Sequence, residues 1–496
     1  MRGWGYDLVT RGMAGVIGVV SPEKAMRYIR RRAQLAAYSA GSRRGPNRKW
    51  NPSRKSEDAH LASEQKLIIA RARDLVRNSP NLDGALGRIV NNVNFIGIKP
   101  QFEFRIPDGS LDKARNSANE DRWKRWAEHR DVRYYELQDL VIRHMWMDGR
   151  ILVHFFVDPD LAEAGLPPLG IELLECDHLD EQVHGVLATG NIARRGIEYN
   201  KRGKVAAYHL FTEHPGDYLG FRTGKSRRIP AENIEHIFLR KRASQHDGFP
   251  WLTSVIMTMR DFDDYQNSER LAARLAALFG IFVESQYALD GDGHFIGGVA
   301  NEDGDKEFPE YVSLDDPAQI ITVPPGTKIQ VAEYTRPSAS YEPFTKTTLK
   351  AGSMGTQQSY EAFSNDYTDA SYSSSRSASL EERRGYQKQQ LFEIVRFCVP
   401  TMERFNRLQA VFGHEAWDIE AAPVSWQAPG FAWVDPLKDA KAAREELSMG
   451  ITTRRKLCAD RGLDFEETVE QLARETDMLR KHGLAHEEAN HAGQTA

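Results

Sequence analysis

Residues 250–279 read PWLTSVIMTMRDFDDYQNSERLAARLAALF, and this stretch decides the architecture. Pro250 is set to open a helix, because its fixed φ suits a first turn and its missing N–H is not needed there. Val255, Met259, Phe262, Leu271, Leu275, Leu278 and Phe279 recur among Arg260, Asp261, Asp263, Asp264 and Glu269, which predicts a single long helix over 251–279. Acid near its start and Arg270 and Arg274 later suit the helix dipole. Residues 280–343 then turn to short runs rich in Gly, Asp and Pro, which predict strands and turns. A second helix is expected over 344–363. Two helices enclosing a β-rich insert predict an α+β fold in which the insert projects from the end of a stalk.

Working outward toward the C-terminus, residues 364–375 read SNDYTDASYSSS, half Ser or Thr and too polar for a core. A very long helix should follow over 376–412, kinked at Pro400. The 436–481 segment reads as helical, with Pro436 at a first turn, Gly450 at a C-cap and Thr452 or Thr453 capping the next helix. Residues 482–496 read as a disordered tail.

Toward the N-terminus, Ser21-Pro22-Glu23 predicts a capped helix ending near Gly41. Further helices are expected from about Glu57 to Asn78 and from Pro80 to Val93. Trp123 and Trp126 sit three apart on another, as Leu140 and His144 are placed on the one before the Asp148-Gly149 turn. Strands are expected at 98–105, 151–157, 171–174, 196–199, 205–210 and 234–238, with Asn200-Lys-Arg-Gly203 as a hairpin turn.

The chain has 496 residues, 41% hydrophobic and 27% charged, with net charge −4 and three cysteines. That length predicts several structural units, and the composition excludes collagen-like, disulfide-scaffold and wholly disordered classes. Cys176, Cys398 and Cys458 form no Cys-x-x-Cys pair, so neither a zinc knuckle nor a disulfide framework is expected. Charge is uneven: residues 1–60 hold 13 Lys or Arg against four Asp or Glu, so the rest of the chain is net acidic. The basic section, with Arg30-Arg31-Arg32, Arg43-Arg44 and Arg48-Lys49, is either a solvated arm or an arm that meets an acidic partner. The apolar run Gly12–Val20 is too short to span a membrane and, followed by Ser21-Pro22-Glu23, is not read as an export signal.

Several motifs approach catalytic patterns and fail. Gly220-Phe-Arg-Thr-Gly224-Lys225-Ser226 has one residue too few between its glycines for a phosphate loop, and Pro230 would interrupt the helix such a loop needs. Gly291-Asp-Gly293-His-Phe-Ile-Gly297 misses the dinucleotide spacing, and His486-Glu487 to His491 misses the zinc-helix spacing. Cys176-Asp177-His178 reads as a packing cluster at a strand end or as a nucleophile with its base. No catalytic residue, metal or cofactor is expected.

The motifs that agree with one another run in order along the chain. They begin with Ala70-Arg-Ala-Arg-Asp74-Leu-Val-Arg-Asn78-Ser-Pro80 and Ile89-Val-Asn-Asn-Val-Asn-Phe-Ile-Gly97. Trp123-Lys-Arg-Trp126, Asp148-Gly-Arg150, Ile171 to Asp177, Gly196-Ile-Glu198, Val205 to His209, Arg228-Ile-Pro-Ala231 and Arg242 through Trp251 follow. Pro325-Gly326, Tyr372 to Arg376, Trp433 to Pro436 and Gly450 to Thr453 complete them. Over about residues 20–480 this ordered set resembles the lambda family of phage portal proteins.

The resemblance implies a portal fold: an N-terminal arm and first wing helix (1–60), a wing (61–250), and a two-helix stem (251–279 and 344–363). It also implies a β-rich clip (280–343), a tunnel loop (364–375), a long wing helix with its following segment (376–435) and a helical crown (436–481). Twelve copies would form a ring at a unique head vertex of the virion, assembled in the host cytoplasm. Double-stranded DNA would be packaged and ejected through the ring. The large terminase subunit and then head-tail adaptors would dock on it, and major capsid and scaffolding proteins would surround it. The resemblance makes Lys346, Lys350, Asn365, Ser371, Ser373, Ser374, Ser375 and Arg376 candidates for the DNA channel. Arg260, Asp263, Arg270 and Arg274 become candidates for the subunit interface, or else cover a solvated helix face. A net-acidic body with sparse positive points suits a conduit, because each phosphate contact adds affinity and friction. The alternatives are a packaging enzyme acting on nucleic acid and another structural head or tail protein.

Overall fold

A computed structural model of the chain describes residues 21–27, 49, 51–217, 225–278, 281–284, 299–300, 306–307, 328–331, 341–410, 424–433 and 435–483. Two units separate, Met1–Ala62 and Ser63–Ala496. In the first, a short helix spans 22–27, and Ser21 Oγ accepts from the Lys24 amide at 3.5 Å, as a Ser-Pro-Glu start predicts. The expected continuation to Gly41 and the clusters Arg30–Arg32 and Arg43–Arg48 lie outside the described residues.

The helices α1 (Glu57–Asn78) and α2 (Pro80–Val93) match their sequence reading, separated only by Ser79 with Pro80 in the first turn of α2. Strand β1 (Lys99–Phe102), helices α3 (Lys113–Ala127) and α4 (Tyr134–Met147), and strand β2 (Arg150–Val157) follow. β2 is the middle of a three-stranded antiparallel sheet, between β3 (Leu169–Leu174) and the later β9 (Ile234–Phe238). Its near-continuous apolar run is buried from Arg150 to Val153, as a central strand requires. A five-stranded antiparallel sheet runs in order β4 (Gly185–Val186), β5 (Ile192–Arg194), β6 (Ile197–Tyr199), β7 (Val205–Leu210) and β8 (Arg227–Pro230). Asn200 and Gly203 close the predicted β6–β7 turn, the Gly203 amide donating to Asn200 O at 2.9 Å.

The two tryptophans read from the sequence seed the main core. Trp123 and Trp126 on α3 pack against Tyr134 and Phe405, with Trp123 ring centroids at 5.1 and 5.0 Å from them. The Trp126 indole donates to Leu169 O at 3.0 Å, so the buried polar edge of the ring is satisfied. Aromatics of this size stabilise by about 1.5–3 kcal/mol each when removed from water.

Gly149 and Gly248 bring two of the ordered motifs together in space. Their backbones touch, and Gly149 has φ +75°, so a Cβ on Gly149 would strike the Phe249 carbonyl. Beneath this contact Arg150 is fully buried against the Asp247 carboxylate.

Three boundaries differ from the sequence reading. The 251–279 helix opens with a 3₁₀ turn, Trp251–Ser254, and becomes α-helical as α5 only over Ile256–Leu278; residue 279 lies outside the described set. The 344–363 helix is two helices, α6 (Tyr341–Thr356) and α7 (Tyr360–Ser364), broken where Gln357 adopts φ +60°. No Pro marks that break, Gly355 lies in the last turn before it, and just beyond it the buried Gln358 amide donates to Ala85 O at 3.2 Å. The 376–412 helix starts earlier, as α8 (Tyr372–Glu393), passes through a π-helical turn (Ile394–Cys398) and ends as α9 (Val399–Gln409). The π turn answers Pro400: widening the helix just before the ring relieves its clash with the preceding turn.

Of residues 280–343, the last three begin α6, and the other described parts are two antiparallel pairs, β10 (Ile281–Glu284) with β13 (Lys328–Val331) and β11 (Val299–Ala300) with β12 (Lys306–Glu307). After β14 (Val424–Gln427), which pairs with β1, come α10 (Pro436–Ser448), α11 (Arg454–Ala459) and α12 (Phe465–Lys481). Pro436 does open α10, Gly450 takes φ +69° just beyond its end, and Thr453 caps α11. Of the expected tail 482–496, residues 484–496 lie outside the described residues.

Candidate functional site

Helices α5 and α6 pack antiparallel. Tyr265 lies 6.0 Å from the Tyr341 ring and 4.6 Å from Phe344, and at the other end Gly355 meets Val255 where no Cβ would fit. The polar loop follows α7 directly, so the α5–α6 pair and the base of α8 together set its position.

The loop is pinned at several points. Asn365, at φ +58°, ends α7, and its Oδ1 accepts from Arg88 Nη2 at 2.8 Å; Arg88 also donates to Ala362 O. Asp366 accepts the Tyr360 hydroxyl at 2.8 Å and the Thr368 amide at 3.1 Å, and the Thr368 and Tyr360 hydrogen bonds hold its carboxyl down at about 2. Lys346 on α6 reaches Asp369 at 2.9 Å and Glu342 at 2.9 Å, and these two carboxylates raise its pKa.

Further channel candidates have local partners as well. Lys350, one turn beyond Lys346, places its ammonium 5.5 Å from the Tyr360 ring centroid. Ser371 caps α8, its Oγ accepting from the Ser374 amide at 3.2 Å while Ser374 Oγ accepts from the Ser371 amide at 3.1 Å. Ser373, Ser374 and Ser375 are thus helical, and the polar loop is 365–371 rather than 364–375. The Ser run reads as loop by composition, but a capping box needs only Ser at the first and fourth of these positions. Arg376 donates to Asp439 at 2.7 Å and Tyr372 OH to Asp435 at 3.1 Å, which tie the start of α8 to α10.

On α5, Arg260 pairs with Asp264 at 3.2 Å, Arg270 donates to Asn267 Oδ1 at 2.6 Å, and Arg274 is exposed. Asp263 is half-buried, and burial raises its carboxyl pKa. The four share a helix but no common cluster.

Sequence reading missed the partners Arg88, Asp366, Asp369 and Asp439. Asp366-x-Thr368 is a side-chain-to-backbone turn pattern that could have located the first of the loop's anchors. The other three act across long sequence separations and leave no local signal.

The near-catalytic motifs resolve structurally. Residues 220–224 lie outside the described set, but Arg227–Pro230 forms β8, where a phosphate loop would require a helix. Residues 291–297 and 486–491 are likewise outside it. Cys176 is buried, burial pushes its thiol pKa well up, and the neighbouring His178 Nδ1 donates to Phe211 O at 3.0 Å. Among the described residues, Glu175, Asp177 and His214 come together as three possible metal ligands, but Arg73 Nη2 lies 2.8 and 2.7 Å from the two carboxylates and holds the cationic position. Among the described residues, no helix is long and apolar enough to cross a membrane.

Glu198 and Arg228, both in ordered motifs, form another buried-edge pair at 2.8 Å, and the Arg228 hydrogen bond leads the interactions that lower the Glu198 carboxyl to about 2.

A sequence model of the family described as "Phage portal protein, lambda family" matches residues 43–390. The probable portal protein of Halomonas phage phiHAP-1 is 24% identical over 459 residues, covering 88% of this chain and 86% of that protein. Portal protein B of Escherichia phage lambda is 24% identical over 497 residues, covering 91% of each. Among solved structures, the neck of a native gene transfer agent particle computed with C12 symmetry aligns at 10% identity and TM-score 0.42, over 81% of this chain and 99% of that one.

Proposed function

The chain belongs to the lambda family of phage portal proteins, and we propose that twelve copies form a ring whose axial channel passes double-stranded DNA into and out of the head. It functions as a portal protein of the virion, in assembly and DNA packaging. Residues 61–250 and α8 to α9 act as the wing, α5 and α6 as the stem, 280–343 as the clip, 365–371 as the tunnel loop, and α10 to α12 as the crown. The clip docks the large terminase subunit and later head-tail adaptors, capsid and scaffolding proteins meet the wing, and assembly takes place in the host cytoplasm.

The observation that carries the channel reading is the pinned polar loop at the base of an antiparallel helix pair. Residues 364–371 contain two Asp and no Lys or Arg, and Lys346 and Arg376 beside them are already paired with Asp369 and Asp439. Such a surface presents hydroxyls and amides to passing phosphates without a fixed grip. Ser371 and Ser374 supply the helix cap, Thr368 Oγ1 is engaged by Asp366 and Asn365 Oδ1 by Arg88, so the exposed Tyr367 is the better channel-facing candidate. Arg260, Asp263, Arg270 and Arg274 contact the next subunit's stem. A packaging motor is disfavoured because β8 stands where its nucleotide-binding helix would have to begin.

Native mass spectrometry and negative-stain imaging of the purified chain test this reading. A closed ring is expected, and a monomer under all assembly conditions would overturn it.

A further inference from the structure

Residues 192–204 and 239–248 hold eight Lys or Arg against only two acids, Glu198 and Asp247. Both acids turn inward. Glu198 is fully buried and held by Arg228 at 2.8 Å, and the Asp247 carboxylate lies against Arg150 and 3.4 Å from His236. Arg195 also turns inward, to Glu181. Arg194, Lys201, Arg202, Lys204, Arg240 and Lys241 remain exposed, and none of them makes an ion pair among the described residues. On a chain that is net acidic after residue 60, these two stretches show solvent a concentration of positive charge with their own carboxylates spent inside.

The two stretches adjoin. The Tyr199 ring lies 6.4 Å from the His246 ring, and Arg194 places its guanidinium 5.7 Å from the centre of the same tyrosine. One amide side chain sets each basic tip. Asn200 Oδ1 accepts from the Arg202 and Lys204 amides at 2.9 and 3.0 Å, which fixes the β6–β7 turn. Gln245 is fully buried; it accepts from the Lys241 amide at 2.7 Å and donates to Asp247 O at 2.8 Å, which fixes the loop between β9 and α5. Charges carried on an ordered backbone give up less freedom on binding than charges on a mobile one. None of these residues belongs to α5, α6 or the 365–371 loop.

We propose that this patch holds the phosphate backbone of double-stranded DNA, at a site apart from the channel elements. The inference rests on the portal reading for the source of the DNA and on charge for its chemistry. A duplex presents one phosphate charge about every 1.7 Å along its axis, so fixed cations on two neighbouring tips find partners in any sequence. Lys and Arg contacts to phosphate position the duplex without reading its bases. Such a grip would resist sliding inside a channel, whereas outside it the same grip anchors DNA that is not being moved.

Fluorescence anisotropy of a short labelled duplex with the purified full chain tests the site. The variant Lys201→Ala with Arg202→Ala and Lys204→Ala should bind about tenfold more weakly at about 100 mM salt, and the slope of log K against log salt should fall by about three, close to one for each lost phosphate contact. Arg384→Ala with Lys388→Ala and Lys441→Ala removes the same charge elsewhere and should leave both values nearly unchanged. All six positions are exposed, so circular dichroism should report unaltered secondary structure in each variant. The basic section at residues 1–60 is the same in all three proteins, so the difference between them reports the patch. Unchanged binding by the first variant, or an equal loss in both, would overturn the site. Displacement of the duplex by poly-glutamate as readily as by unlabelled duplex, at equal charge concentration, would assign the patch to an acidic polypeptide and overturn it as well. Failure of the unaltered chain to form a ring would instead overturn the portal-ring reading and leave this comparison intact.

Discussion

Lys346 Nζ stands 2.9 Å from Asp369 Oδ2, so a single cation on α6 holds the polar loop against that helix. Glu342 shares the same ammonium at 2.9 Å, which leaves Lys346 little charge to offer a phosphate. Asp369→Asn should loosen the loop while α6 stays helical. Chymotrypsin cleavage after the exposed Tyr367 should become several-fold faster, with thermal stability unchanged. Cleavage at the original rate would mean that Arg88 and Tyr360 hold the loop without Lys346.

Arg73 grips Asp148 through two bonds, Nε to Oδ1 at 2.7 Å and Nη2 to Oδ2 at 3.0 Å. The Asp148 carboxylate is almost fully buried, and its other partner is His144 at 2.7 Å. Arg73→Ala should cost about 3–5 kcal/mol, since breaking one side of a buried pair strands the other. Burial works to raise the Asp148 pKa, but the hydrogen bonds from His144 and Arg73 hold it below its ordinary 3.8. A depressed folded pKa gives stability that is present above the unfolded value and lost as pH falls through the folded one. Urea unfolding should therefore show the difference between Arg73→Ala and the unaltered chain to be largest near neutrality and to narrow below about pH 4. A difference independent of pH would assign the loss to packing instead.

Helix identity was legible wherever apolar periodicity and local punctuation agreed. The boundary between Glu57–Asn78 and Pro80–Val93 is legible to the residue, because Ser79-Pro80 both ends one helix and starts the next. What was not legible depended on distant residues. The break at Gln357 is accompanied by a hydrogen bond from Gln358 to Ala85, 273 positions away, and carries no Pro. The Ser run reads as loop through Ser375 because composition cannot tell a free hydroxyl from a cap. Of the three charged channel candidates, Lys346, Lys350 and Arg376, the structure shows Lys346 paired with Asp369 and Arg376 with Asp439. Such pairings belong to tertiary structure, and sequence spacing does not encode them.

The capping box gives its own measurable consequence. Ser371 Oγ accepts from the Ser374 amide, and Ser371→Ala removes that acceptor from the start of α8. About 1 kcal/mol of stability should be lost, and Ser371→Asp should retain most of it. Hydrogen exchange at 372–375 should accelerate in the Ala variant only. Equal exchange in both variants would show that Arg376–Asp439 alone fixes the helix start.

Glu393, the last residue of α8 before the π turn, is 0% exposed, and neither carboxyl oxygen makes a hydrogen bond of ordinary geometry among the described residues. Burial pushes its pKa well above the ordinary 4.5, nearby Asp139 adds to the rise, and the adjacent Asn94 amide only partly opposes it. The fold thus keeps a proton that the unfolded chain releases. For a raised folded pKa the contribution is fully present below the unfolded value and is lost as pH rises toward the folded one. Glu393→Gln preserves the shape and removes the titration. Its stability advantage in urea unfolding should be small at pH 4 and grow by about 1.4 kcal/mol per pH unit above the ordinary carboxyl range, until the folded pKa is reached. Parallel profiles for Glu393→Gln and the unaltered chain would show that the carboxyl is already ionised within the fold and has found a partner there.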